Sequence, residues 1–131
     1  MVNRRWGRVI NISSIYGIRG TTNNLPYNSS KHGLSGFTKS IAKEYAAYGI
    51  TCNEICPGAV ESELMERIAA RKEKEGRVTS RAEYLQMVRE SIPAGRLAKP
   101  EEIACLALYL ASDHAAFING ASIVIDGALT A

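Results

Sequence analysis

Tyr27 and Lys31 stand four residues apart, the spacing that puts two side chains on one face of a helix, one turn apart. A free phenol, with a pKa near ~10, is a poor base at neutral pH. A neighbouring ammonium favours the phenolate, so such a pair could exchange a proton with an alcohol or carbonyl oxygen. Y-x-x-x-K alone is a weak signal, because many surface helices contain it by chance. Ser14, thirteen residues before Tyr27, adds a hydroxyl that could hydrogen-bond a substrate oxygen while the phenol moves the proton. It could equally be a turn residue that ends a strand. His32 sits beside Lys31 but roughly 100° around the helix, which suits packing or an interface better than a proton relay. His114, next to Asp113, reads as a surface cap or loop residue.

These side chains need elements to hold them. The β-branched run Arg8–Ile12 reads as a strand buried on both faces, central in a parallel sheet. Ser13, Ser14 and Gly17 end it, at the sheet edge where open α/β folds bind ligands. Pro26 suits the first turn of a helix. Leu34, Phe37, Ile41 and Tyr45 then recur at helical spacing, giving an amphipathic helix over about 26–48 that Gly49 stops. Ile50–Cys56 is a second strand, closed by Pro57-Gly58. Strand, helix and strand make a βαβ unit with right-handed crossover. A charged helical region follows over about 63–75, with Ser62 available as its N-cap and Glu63/Arg67 and Glu73/Arg77 at i,i+4. Leu64, Met65 and Ile68 could line a pocket beneath it. Ser80 and Glu83 form a capping box for a helix to about residue 90. Lys99-Pro100-Glu101-Glu102 opens another, with Ile103, Leu106, Ala107 and Leu110 as its buried stripe. A last strand follows Gly120, over residues 121–125.

A chain of 131 residues has room for one domain. Its net charge of +3 is too small, and its basic residues too scattered, to argue for nucleic acid. Cys52, Cys56 and Cys105 are odd in number and lie in apolar surroundings. With no second ligand pair for a Cys52/Cys56 metal site, they read as buried reduced thiols. No apolar run approaches the ~20 residues that span a bilayer, and no signal peptide precedes the first strand. The expectation is a cytoplasmic α/β chain.

Together, Asn11-Ile12-Ser13-Ser14, Tyr27-Asn28-Ser29-Ser30-Lys31 and Pro57-Gly58 resemble the short-chain dehydrogenase/reductase family. Gly7–Asn11, Gly49–Asn53, Gly95-Arg96, Pro100–Ala104, Asn119-Gly120 and Asp126-Gly127 extend the resemblance over essentially the whole chain. It implies the C-terminal half of a Rossmann-type, doubly wound parallel sheet, with three strands and covering helices. It implies interconversion of a secondary alcohol and a ketone, dependent on NAD or NADP, with the choice left open. By that resemblance Tyr27 is the general acid/base, Lys31 tunes it and bonds the cofactor ribose, and Ser14 polarises the substrate oxygen. Ser13 is the lesser candidate for that last role. Pro57-Gly58 shapes the turn beside the nicotinamide. Backbone groups near Val60 and the hydroxyl of Ser62, where the family usually has threonine, match the positions that hold its carboxamide. Residues 62–92 correspond to a substrate cover, which usually moves on binding. The overall pattern is nearest to 3-oxoacyl reductases and 3-hydroxyacid dehydrogenases.

The glycine-rich strand–turn–helix that receives the pyrophosphate is expected to lie outside these residues. Gly33-Leu34-Ser35-Gly36 does not replace it, being inside the Tyr27 helix. The sequence therefore reads as the catalytic and substrate-cover half of a longer domain, truncated from it or a genuine half-protein. The Arg8–Ile12 strand would then present an open edge, and an ordered chain should be a dimer or tetramer, with the Tyr27 helix in the interface by resemblance. The competing reading is a non-catalytic oligomerising fragment that binds no dinucleotide.

Overall fold

A computed structural model describes all 131 residues. Strand β1 (Gly7–Ile12) leads through a 3-10 turn at Ile15–Gly17 to helix α1 (Leu25–Tyr45), and a second such turn (Ala46–Tyr48) returns the chain to β2 (Ile50–Pro57). Helices α2 (Glu63–Lys74), α3 (Arg81–Ser91) and α4 (Pro100–Ala111) precede β3 (Ser122–Ile125). The strands form one parallel sheet in the order β1-β2-β3, with Gly7 opposite Ile50 and Glu54 opposite Ser122. This α/β arrangement is the one anticipated. No helix is long and apolar enough to cross a membrane.

The central strand is β2, buried at every position. β1, a strand of the central kind by its pattern, is the edge strand in this chain, presenting the open edge expected where a neighbour would pair. It is only half-buried, and Ile12 is 50% exposed. Gly49, at φ +68°, makes the tight joint into β2. A Cβ there would collide with the Arg5 carbonyl oxygen, so only glycine fits.

Side chains alternate across a strand, and the two faces of this sheet differ in chemistry. Ile10, Ile55, Ile123 and Ile125 meet Ile103, Leu106, Ala107 and Leu110 of α4, the stripe read from the sequence, and these form the apolar core. Asn11, Cys52, Glu54, Cys56 and Ser122 alternate onto the opposite face, where α1 packs. There Asn11 donates to Thr38 Oγ1 at 2.9 Å, and Ser122 donates to Glu54 Oε1 at 2.5 Å. Glu54 is fully buried, and its Oε2 has no hydrogen-bond partner.

The helix pattern departs from expectation on this face. Residues Ser35, Thr38 and Ala42 are the buried ones of α1, while Phe37 of the apolar stripe is 52% exposed. Small side chains let the helix approach the sheet closely, leaving Leu34, Ile41 and Tyr45 half-buried at its flank and Phe37 outward. Cys52 and Cys56 are buried free thiols, but Cys105 is exposed on α4. The Glu63/Arg67 pair forms at 3.3 Å. Glu73/Arg77 does not, because α2 ends at Lys74; Glu73 takes Arg81 and Arg77 takes Glu75, each at 3.1 Å. Leu64 faces out of the cover at 61% exposure rather than into a pocket. The Ser80 hydroxyl caps α3 by accepting the Glu83 N–H, while Glu83 reaches back to Thr79, one residue before the expected partner.

Candidate active site at the carboxyl edge of the sheet

The β1 ladder runs on to Ser13, whose N–H donates to the Ile55 carbonyl at 2.8 Å. Ser14 follows in extended backbone, nearly buried, and its Oγ accepts the Tyr16 N–H at 3.1 Å. That bond uses an acceptor lone pair of the hydroxyl and leaves its proton free to donate. The 3-10 turn then folds onto α1. A Cβ on Gly17 would lie 2.6 Å from Ser13 Oγ and 3.0 Å from the Lys31 carbonyl oxygen. Ser35 seals this close approach by donating to the Gly17 carbonyl at 3.3 Å.

Helix α1 begins over the same edge. Asn28 donates to the Thr21 carbonyl at 2.9 Å, tying the preceding loop to the first turn. Tyr27, in that turn, is 38% exposed, and its hydroxyl makes no hydrogen bond within the chain. One turn on, Lys31 Nζ lies 5.6 Å from the Tyr27 ring centroid and donates to the Ile12 carbonyl at 3.0 Å. The ammonium thus bridges α1 and the last carbonyl of β1, two residues before Ser14. The structure brings Ser14, Tyr27 and Lys31 to one edge, as their spacing predicts. His32 points away, exposed and bonded through Nδ1 to the Asn28 carbonyl, and His114 is exposed.

Cys56 forms the floor. Burial pushes its thiol pKa up, and the nearby Glu54 adds to this; the Ser13 hydroxyl, the Ser14 N–H and Lys31 act in the opposite direction. A thiol held neutral in this way is a packing group rather than a nucleophile. Ser13 Oγ is buried without a hydrogen-bond partner.

Beside this edge β2 ends at Pro57. Gly58 donates to the Ile125 carbonyl at 3.0 Å, and a Cβ there would strike Asp126 at 2.9 Å, so this glycine serves the close approach of β3. Val60 bridges Ala98 through the neighbouring peptides, Ala98 N–H to Ala59 and Glu61 N–H to Ala98, each at 2.9 Å. Its own N–H makes no hydrogen bond in the chain, while its carbonyl accepts the Ser62 hydroxyl at 3.2 Å. Ser62 also accepts the Met65 N–H at 3.3 Å, as the N-cap of α2. The structure thus leaves a free amide at Val60 and commits the Ser62 hydroxyl to the turn.

Sequence patterns missed two features of the site. Tyr16 sets its ring edge against Tyr27, with centroids 6.4 Å apart and planes at 77°. Only its position, two residues past Ser14, could have drawn attention to it. Asn53 and Asn119 lock β2 to the start of β3: Asn53 donates to the Ile118 carbonyl at 2.7 Å and accepts the Ala121 N–H at 3.0 Å, while Asn119 accepts the Cys52 N–H at 2.8 Å.

Comparison with known proteins agrees with this geometry. Residues 1–130 match the family model described as enoyl-(acyl carrier protein) reductase. The 3-oxoacyl-(acyl-carrier-protein) reductase of Aquifex aeolicus is 36% identical over 98% of this chain and 47% of its own length. An acetoacetyl-CoA reductase of Shinella zoogloeoides is 41% identical over 97% of this chain and 48% of its own. Among solved structures, a variant of the actinorhodin polyketide ketoreductase with NADPH superposes with a TM-score of 0.92 at 35% identity, over 98% of this chain and 49% of that one. The chain therefore spans about half the length of the curated relatives it matches. With strands, edge and sequence all in agreement, the chain belongs to the short-chain dehydrogenase/reductase family.

Proposed function

We propose that this chain carries the proton-transfer site of an NAD(P)-dependent oxidoreductase that interconverts a secondary alcohol and a ketone. The observation that carries the proposal is the convergence of Ser14, Tyr27 and Lys31 at the carboxyl edge of β1, with Lys31 Nζ fixed to the Ile12 carbonyl. Tyr27 gives its phenolic proton to the carbonyl oxygen during reduction and takes it back during oxidation. Ser14 Oγ–H donates to that same oxygen, stabilising the charge that develops there. Lys31 holds a positive charge beside the phenol, and its reach along the edge suits a cofactor ribose.

The nicotinamide cofactor, when bound, supplies or accepts the hydride. Residues here fit its nicotinamide end: the free N–H of Val60 is a donor for the carboxamide, beside the Pro57-Gly58 turn. Ser62, whose hydroxyl donates to the Val60 carbonyl and accepts from the Met65 N–H, keeps a second lone pair with which to accept from the carboxamide. The names of the relatives, oxoacyl and acetoacetyl-CoA reductases among them, favour a 3-oxoacyl substrate for this chain too.

The open edge of β1 and the outward Phe37 of α1 favour an oligomer, dimeric or tetrameric. The test is fluorescence titration of NADH and NADPH into this chain, alone and joined to the glycine-rich dinucleotide-binding half that the reaction is expected to need, followed by turnover of acetoacetyl-CoA by the joined protein. Saturable binding and a loss of about 100- to 10,000-fold in Tyr27→Phe are the expected results. No saturable binding would favour a non-catalytic oligomerising role, and full turnover in Tyr27→Phe would remove the phenol from the chemistry.

A further inference from the structure

A general acid is effective only if its reacting oxygen is held in position. The χ2 torsion of a tyrosine is intrinsically broad, and the Tyr27 hydroxyl has no hydrogen bond within the chain to fix it. Something other than its tip must hold the ring. Lys31 lies 5.6 Å from the Tyr27 centroid, one helical turn on in α1, and touches a single side of it. Tyr16 meets the ring from a different element, with an edge-to-face geometry favoured by the aromatic quadrupole.

Tyr16 is tied to the other end of the site as well. Its N–H is the donor that holds Ser14 Oγ, and it lies in the turn that Gly17 and Ser35 clamp to α1. Arg19 stacks over its ring at 6.0 Å. One residue therefore touches both the hydroxyl that polarises the substrate and the ring that moves the proton.

We propose that Tyr16 is a positioning residue, whose backbone N–H orients the Ser14 hydroxyl and whose ring fixes the Tyr27 phenol at the sheet edge. The proposal rests on the reaction assigned to Tyr27 above. It predicts that the ring, and not the phenolic hydroxyl, of Tyr16 matters, so phenylalanine substitutes for it and alanine does not.

The experiment has two arms on the purified chain, with Tyr16→Phe and Tyr16→Ala compared at equal thermal stability. In the first, ring carbons of isotope-labelled tyrosine are followed by NMR, with the Tyr27 signals assigned through Tyr27→Phe. Tyr16→Phe should leave the Tyr27 shifts in place, and Tyr16→Ala should move them and broaden the ring signals. In the second, on the chain joined to a dinucleotide-binding half, turnover of acetoacetyl-CoA with NADPH should fall roughly three- to tenfold in kcat in Tyr16→Ala, with KM within about twofold, and recover in Tyr16→Phe. Unmoved Tyr27 signals in Tyr16→Ala would overturn the proposal, as would equal loss of kcat in both variants. If wild type joined to a dinucleotide-binding half shows no turnover, the assigned reaction fails, while the NMR arm still decides whether Tyr16 holds Tyr27.

Discussion

Replacing Asn53 by alanine should cost this fold more than any other single polar deletion in the sheet. Asn53 is 1% exposed on β2 and makes two side-chain bonds to the segment that starts β3, to the Ile118 carbonyl at 2.7 Å and from the Ala121 N–H at 3.0 Å. Each bond contributes about 1 kcal/mol net, and each backbone group left unpaired costs ~1–3 kcal/mol. Ile118 and Ala121 are themselves only half-buried, so water partly repairs the loss and the lower end of that range applies. The sum is about 4 kcal/mol, against a total stability of ~5–15 kcal/mol for a small domain. With m near ~1–3 kcal/mol/M, the urea midpoint should fall by roughly 1–4 M at unchanged m. Amide exchange at Ala121 should accelerate in parallel. Asn53→Asp separates the two bonds, since it keeps the acceptor for Ala121 but has no donor for Ile118. It should also be destabilised, with Ala121 still protected. A midpoint shift below about 0.2 M in Asn53→Ala would refute the reasoning.

Two further perturbations test the frame around the site. Glu102 is held at a pKa of about 2, first by the Arg96 guanidinium, 2.7 Å from each carboxylate oxygen, and then by the Lys99 N–H. A depressed folded-state value means that its contribution is fully present above pH ~4.5 and lost as pH falls toward about 2. The Tm difference between wild type and Glu102→Gln should therefore favour wild type at neutral pH and close across that window; a gap independent of pH would contradict it. Gly49→Ala should lower stability by about 1–3 kcal/mol, because a Cβ would collide with the Arg5 carbonyl oxygen at φ +68°. Thermal denaturation measures this, and an unchanged Tm would show that the joint relaxes freely.

The elements and the chemistry were legible in the sequence for different reasons. Arg8–Ile12 and Ile50–Cys56 declare themselves by β-branched runs, and α1 by Pro26 and Gly49, all local signals that tertiary context seldom reverses. The reaching of Ser14 and Lys31 toward one edge follows from topology, since a strand end and the start of the next helix must meet there. The face on which α1 packs did not follow. An apolar stripe such as Leu34, Phe37, Ile41 and Tyr45 ordinarily marks the side turned to the core, and here Ser35, Thr38 and Ala42 are buried instead. Periodicity measures where apolar residues lie, and says nothing of how closely a helix must approach. Likewise Glu73/Arg77 satisfied the spacing of a helical pair while lying across the helix end, so the rule had no helix on which to act.

That misreading bears on how the site is held. Apolar contacts are non-directional, so a helix seated on the sheet by leucine and phenylalanine alone could slide or rotate at small cost. Helix α1 is instead pinned through Asn11 to Thr38 at 2.9 Å, through Ser35 to Gly17 at 3.3 Å and through Lys31 to Ile12 at 3.0 Å. These three bonds lie on one face of α1, spread over two of its turns, and each fails if the helix shifts by a single residue (1.5 Å along its axis). The core on the opposite face, around Ile55 and Leu110, supplies the apolar burial. Cohesion and registration are thus divided between the two faces of one sheet. The polar face sets where Tyr27 and Lys31 stand relative to Ser14, and a proton-transfer site needs that placement to within a fraction of an ångström.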